Sequence, residues 1–335
     1  MMKRATFPAA GWLAVMAVLA AAAFILWQEL RPPARILPAP QRAVAVRAEM
    51  LAGTGAVIGP FRLAGALALE SDDAGFGGLS GLAGLPDGQL LAISDAGQWL
   101  RLRPVLRAAR LRGVAGAAMG AIAVPAGDKT DLDAEAIAFT PDGRTLVSFE
   151  QRHRIAAFAG VGLPLRPAGV LYRTLALDWP PNGGGETLAV LPDGGWLWLS
   201  EAARASGDAR RALLIDASGR ARQIAVPGLA GFAPTDAAVL PDGRLLLLHR
   251  LFNGVGNAAA ITLVDLAPVR AGDGVARARL LARWGRDGPW PVDNMEGLAL
   301  ANEAGKPVLY LVSDDNFSAV QRTILLRLEI VAPLG

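Results

Sequence analysis

Five segments of this chain repeat one pattern: a short apolar run, a tight turn and a second apolar run. They are LSGLAGLPDGQLL (Leu79–Leu91), AEAIAFTPDGRTL (Ala134–Leu146), GETLAVLPDGGWL (Gly185–Leu197), TDAAVLPDGRLL (Thr235–Leu246) and, with a longer turn, MEGLALANEAGKPVL (Met295–Leu309). Proline presets φ and Asp-Gly adopts the turn conformation, so each segment reads as a β-hairpin. The turn prolines Pro86, Pro141, Pro192 and Pro241 are 55, 51 and 49 residues apart. A period near fifty, with room for about four short strands per unit, is that of propeller blades. The expectation is therefore an all-β single propeller of five or six four-stranded blades.

Within each unit a third strand follows the hairpin, at Trp99–Leu102, Arg154–Phe158, Leu213–Ile215, Ala260–Val264 and Ile324–Leu328. The last unit stops near the C-terminus with no length left for a fourth strand. Ala56–Leu69 precedes the first hairpin and has no partner of its own, so it is expected to lie beside Ile324–Leu328 and close the ring. Closure removes free sheet edges. A sixth, degenerate blade has room between Thr235 and Glu296 or within residues 50–78.

Ahead of the repeat, Lys3 and Arg4 precede an uncharged apolar run from Ala9 to Trp27, about the length that spans a bilayer. The expected organisation is a cytoplasmic basic tip at 1–8, a transmembrane signal anchor at 9–28, a Pro-rich linker at 29–50 and the propeller at 51–335. The charge placement predicts an exported remainder, anchored in the inner membrane and facing the periplasm or exterior. A cleaved signal peptide, with Ala20–Ala23 supplying the site, would make the protein secreted instead. Net charge is only +3 and no long Lys/Arg block occurs, which argues against nucleic-acid binding. With no cysteine, disulfides, Cys-ligated zinc and a thiol nucleophile are excluded. A monomer is expected.

The repeat also serves as a ruler. Six residues before the turn proline stand Ser80, Glu135 and Glu186; Asp236 lies five before Pro241, and Glu296 opens the fifth unit. Seven residues after the turn glycine stand Asp95, Glu150, Glu201 and Arg250, while Asp314 and Asp315 end the corresponding strand of the fifth unit. The first strand of a hairpin starts beside the end of the second, so these residues should ring one channel mouth. Crowded carboxylates need cations, protons or arginines. All-oxygen ligands favour Ca2+, with Mg2+ behind it. Asp95, Glu150, Glu186, Glu201, Asp236, Glu296, Asp314 and Asp315 are the candidate metal ligands, and Glu135, Arg250, Arg322 and His153 the candidate catalytic residues. Arginine suits an anionic group because guanidinium bonds it bidentately. The other histidine, His249, also ends a second strand. Each of these side chains could equally be a packed or ion-paired structural residue. Ser80 lacks a Gly-x-Ser-x-Gly elbow followed by a helix and is not expected to be a nucleophile.

The stretches Gly77-Gly78-Leu79-Ser80-Gly81-Leu82, Ile93-Ser94-Asp95, Ala134-Glu135-Ala136-Ile137-Ala138, Ser148-Phe149-Glu150, Met295-Glu296-Gly297-Leu298-Ala299 and Ser313-Asp314-Asp315-Asn316-Phe317-Ser318 with Gln321-Arg322-Thr323 resemble the bacterial phytase-like family named for "esterase-like activity of phytase". The resemblance covers roughly residues 55–330. It implies a propeller akin to calcium-dependent alkaline phytases and hydrolysis of phosphate or carboxylic esters, hence a small anionic ester or phosphoester as substrate. The chain lacks an Asp-Asp-Pro-Ala segment; Asp131-Leu132-Asp133-Ala134-Glu135 is its loose counterpart. A non-catalytic propeller that binds a ligand or envelope partner through structural Ca2+, and a lactonase-like hydrolase, remain alternatives.

Overall fold

Before the first hairpin the chain lays down four strands: β1 (Arg42–Ala43), β2 (Arg47–Met50), β3 (Val57–Ile58) and β4 (Phe61–Glu70). The hairpin repeat then delivers its strands in groups, in a computed structural model that describes residues 41–124, 129–173, 177–252 and 256–335. Blade 1 is β5 (Leu79–Gly84), β6 (Leu90–Ser94), β7 (Gln98–Arg107) and β8 (Arg110–Ala121). Blade 2 is β9 (Ala134–Phe139), β10 (Arg144–Phe149), β11 (Arg154–Ala159) and β12 (Arg166–Arg173). Blade 3 is β13 (Gly185–Val190), β14 (Trp196–Ser206), β15 (Ala209–Ile215) and β16 (Ala221–Val226). Blade 4 is β17 (Ala233–Val239), β18 (Leu245–Phe252), β19 (Asn257–Asp265) and β20 (Arg277–Gly285), with the short helix α1 (Ala267–Arg270) between its last two strands. Blade 5 is β21 (Asn294–Glu303), β22 (Lys306–Asp314) and β23 (Thr323–Ile330), completed by β4.

The described residues thus form five blades. The two stretches with room for a sixth are used otherwise: the long interval between Thr235 and Glu296 holds the rest of blade 4, and residues 50–78 contribute β4. The closure expected from the missing strand is present. β4 pairs antiparallel with β23, from Thr323 opposite Leu69 to Ile330 opposite Phe61. The boundary of the expected linker needs correction, because β1 pairs with β8 and β2 with β4. Among the described residues, sheet structure therefore begins at Arg42, inside the expected linker. The expected membrane helix at 9–28 lies outside the described residues; among those, no helix is long and apolar enough to cross a membrane.

Blade faces are stacked on one another, which explains why the strands are apolar almost throughout. LLAIS in β6 is wholly buried, as is the WLWLS start of β14. A strand alternates its side chains between two faces, and here both faces meet a neighbouring blade. Each of the five interfaces has its own apolar cluster. Leu82 and Leu67 sit between blades 1 and 5, Ile93 and Phe149 between 1 and 2, and Trp198 and Leu146 between 2 and 3. Leu199 and Val264 join blades 3 and 4, and Leu248 and Leu326 join 4 and 5. The first strands β5, β9, β13, β17 and β21 contact one another in turn around the axis. Every first-strand start and second-strand end is thereby brought to one mouth.

Candidate active site

That mouth opens into a cavity of about 740 Å³, whose lining includes Asp95, Asp133, Glu135, Glu150, Glu186, Glu201, Glu296, Asp314 and Arg250. Eight carboxylates face one guanidinium, a formal charge of −7 if all ionise. The sequence ruler therefore converges as expected for Asp95, Glu135, Glu150, Glu186, Glu201, Glu296, Asp314 and Arg250.

Electrostatics divide the cavity into two sides. On one, Arg250 at the end of β18 is paired twice: its Nη2 donates to Glu201 Oε1 at 2.6 Å, and its Nε lies 2.7 Å from Glu296 Oε1 as an ion pair without an aligned hydrogen bond. Burial pushes Glu296 up to about 8 against the pull of Arg250, and Asn294 bonds the same carboxylate. On the other side, one oxygen each from Asp133, Glu135 and Glu150 lies within 4.8 Å of the other two. Burial holds Glu135 well above the ordinary carboxyl range, and the charged groups acting on it, Glu150, Asp133, Glu296 and Asp95, are all acids. Glu150 is pushed by burial up to about 7, although the Gly184 amide donates to its Oε1 at 2.5 Å and pulls the other way. Two like charges at this separation repel by about 3–4 kcal/mol at an effective dielectric near 20. Protons or a cation would relieve that repulsion. Glu186 sits between the two sides, only 8% exposed; burial, then Glu201, Glu135 and Glu296, raise it well above the usual range. Asp314 is raised by burial to about 7, opposed by the Asn316 amide and pushed further by Asp95.

Ca2+ takes oxygen ligands at about 2.4 Å, so two opposed ligands stand about 4.8 Å apart. The spacing and all-oxygen chemistry of Asp133, Glu135 and Glu150 fit such an ion, and the buried Glu186 lines the same cavity.

The structure takes several expected residues elsewhere. Asp236 is buried and turned away from the cavity, accepting backbone N–H groups of Leu298 (2.7 Å), Ala237 (2.8 Å) and Leu82 (3.4 Å). It lies five residues before its turn and not six, and a one-residue offset in a strand points the side chain to the opposite face; Thr235 occupies the equivalent place. Asp315 is likewise turned from its neighbour Asp314 and accepts from Gly78 N–H, Phe317 N–H and Thr323 Oγ1, each at 3.0 Å. Arg322 is exposed and outside the cavity, its backbone N–H bonded to Asp293. His249 is buried in blade 4 with Nε2 2.8 Å from Thr262 Oγ1, and burial drops it to about 3. Ser80, in contrast, lines the cavity, its hydroxyl donating to the Ala134 carbonyl at 2.5 Å.

His153 also stays out of the cavity. Its Nε2 bonds the Pro180 carbonyl at 3.0 Å and its ring meets Trp179 and Trp198 edge-on. A Cβ on Gly184 would fall 1.9 Å from the His153 ring, so the histidine props the glycine loop whose amide holds Glu150. Gly184→Ala is expected to displace that loop and weaken any ligand held by Glu150, and His153→Ala in the same chain should restore part of the loss; additive losses in a double-mutant cycle would count against the contact.

Asp133 and Asn294 also line the cavity and are not among the sequence candidates. Asp133 precedes β9 by one residue and carries no repeat-wide offset; its signal was the alternation Asp131-x-Asp133-x-Glu135. Asn294 stands two before Glu296, within the strand start but not an acid.

Residues 74–317 match the phytase-like family, described as "esterase-like activity of phytase". No curated protein matches. Among solved structures, a putative oxidoreductase (glucose dehydrogenase) from Thermus thermophilus is 12% identical, covers 84% of this chain and 100% of its own, with a TM-score of 0.47. Regucalcin from Agrobacterium tumefaciens, a calcium-binding protein, is 14% identical over 76% of this chain and 91% of its own, TM-score 0.40. Virginiamycin B lyase from Staphylococcus aureus is 9% identical over 85% and 99%, TM-score 0.38. At these identities and scores no function carries across.

Proposed function

The chain belongs to the phytase-like family, and on that premise we propose that it is a cation-dependent hydrolase of anionic esters, phosphoesters before carboxylic esters, acting at the acidic mouth of the propeller. The observation that carries this is the composition of the cavity: eight carboxylates, one arginine already paired with two of them, and a trio of acids within 4.8 Å. An anionic substrate cannot enter such a field without cations of its own or of the protein.

Asp133, Glu135 and Glu150 would hold Ca2+. When bound, the ion would supply charge to an anionic oxygen and acidify a coordinated water. Glu135, a candidate catalytic residue in the sequence, is assigned here to the metal. The rest falls to the chain. Glu186, Glu296 and Asp314 have raised affinities for protons, and a carboxylate titrating near working pH is suited to take a proton from water. Asp314 lines the same cavity, is acted on by Asp95 and is not one of the trio, and it is the preferred base. Arg250 is an orienting residue: Glu201 and Glu296 fix its guanidinium, and a substrate oxygen would share it with them.

The test is hydrolysis of p-nitrophenyl phosphate and of p-nitrophenyl acetate by the 41–335 chain, in Ca2+ and in chelator. Ca2+-dependent phosphatase turnover is expected, reduced about a hundredfold or more by Asp314→Asn, as for loss of a general base. Binding of Ca2+ with no turnover of either ester would favour the non-catalytic propeller.

A further inference from the structure

We propose that the ester taken by this cavity is amphiphilic, with one anionic head held by the acids and their cation and one apolar part laid across Phe252 and Val320 at the rim. This rests on the anionic-ester reading above and adds to it the class of the leaving or acyl part.

Both side chains line the acidic cavity and both face water, Phe252 67% and Val320 89% exposed. A single exposed apolar residue is ordinary. Here two large ones flank a cavity whose interior is carboxylate, and they come from elements that fix their positions. Phe252 ends β18 two residues after Arg250, which places both on one face of the strand. An apolar group over Phe252 would thus adjoin a head group near Arg250.

Val320 comes from the turn after β22, and that turn is held in a strained conformation. Asn316 and Phe317 are consecutive non-glycine residues at φ 48° and 51°. Such residues persist only where their surroundings over-determine them. Asp314 Oδ1 accepts the Asn316 N–H at 2.7 Å, Asp315 Oδ1 accepts that of Phe317 at 3.0 Å, and Asn316 Nδ2 donates to Gln321 Oε1 at 3.1 Å. The Phe317 ring packs so closely on Gly78 that a Cβ there would lie 2.4 Å from it. Val320 is therefore presented by an anchored turn.

Charge decides against a polyanion. The one guanidinium is engaged by Glu201 and Glu296, so every further negative group on a ligand would need its own cation. A single head group needs one or two, and its apolar remainder finds surface at the rim to leave water.

The experiment is titration calorimetry of the 41–335 chain in millimolar Ca2+ with two non-hydrolysable ligands that share a head, methylphosphonate and phenylphosphonate. Phenylphosphonate should bind about tenfold more tightly, as burial of part of a phenyl ring predicts. Phe252→Ser with Val320→Ser should cut that preference below about threefold while leaving methylphosphonate affinity unchanged; both positions are exposed, so the fold should be kept. Equal affinities for the two ligands, or tighter binding of inositol hexakisphosphate than of phenylphosphonate, would overturn this inference and leave the anionic-ester reading standing. Binding of neither phosphonate in Ca2+ would overturn both.

Discussion

In chelator the melting temperature should fall as pH rises from 5 to 8, and Ca2+ should remove most of that fall. Burial raises Glu150 and Asp314 to about 7 and Glu296 to about 8. The unfolded chain loses the same protons near 4. Between those limits the native state binds more protons than the unfolded one, so stability declines with rising pH. It is fully present below about pH 4 for these groups and lost through pH 7 to 8. A bound cation replaces the protons, so its effect grows with pH. At a hundredfold excess over its dissociation constant Ca2+ adds about 2.7 kcal/mol, some 5 °C for a domain of this size at about 2 °C per kcal/mol, near pH 8 and far less at pH 5. Glu135→Gln with Glu150→Gln should abolish the Ca2+ response, and in chelator at pH 8 should melt higher than the parent because the repulsion is gone. A melting curve that ignores Ca2+ at pH 8 would mean that protons and Arg250 alone neutralise the cavity.

The second large effect concerns Asp236. Its carboxyl gathers backbone N–H groups from blade 5 (Leu298), blade 1 (Leu82) and its own strand (Ala237), so it ties three blades together near the axis. Asp236→Ala would leave these donors buried without an acceptor, at about 1–3 kcal/mol each for those that water cannot reach, and a loss of about 3 kcal/mol or more is expected. Burial raises Asp236 well above the usual carboxyl range, against the pull of the Leu298, Ala237 and Leu82 N–H groups. Asp236→Asn keeps an acceptor oxygen and should lose less than half as much. Neither change should alter the Ca2+ shift. Loss of the Ca2+ response without loss of stability would return Asp236 to the metal ligands.

The cavity carboxylates and Asp236 show where the sequence could be read and where it could not. Turn spacing identified the blades, and the same spacing located six of the cavity-lining charges, because residues at equal offsets from a hairpin turn reach equal heights; Glu296 and Asp314 were placed by their positions at the strand start and end of the fifth unit. The fourth strand of blade 5 was legible because Ala56–Leu69 precedes the first hairpin and has no hairpin partner of its own; β4 pairs with β23. Asp236 and Asp315 were misplaced by a single residue each, and the alternation of side chains converts that slip into the opposite face. Arg322 and His153 lie outside the strands, where no register applies; Asp293 accepts the Arg322 backbone N–H, and the Trp179–Trp198 pair packs on the His153 ring. Asp133 was obscured because it belongs to the approach to β9, which the repeat does not constrain. The early start of the sheets at Arg42 was hidden by a proline-rich context that resembles a spacer.

The central claim is that one divalent cation sits on Asp133, Glu135 and Glu150. It is tested most directly by long-wavelength anomalous diffraction from crystals of the 41–335 chain grown in millimolar Ca2+. The account predicts an anomalous peak in the cavity about 2.3–2.6 Å from an oxygen of each of the three carboxylates, absent from crystals of the Glu135→Gln, Glu150→Gln double variant. A cavity without a peak at that Ca2+ concentration, or a peak coordinated by other residues while this trio stays vacant, would contradict it.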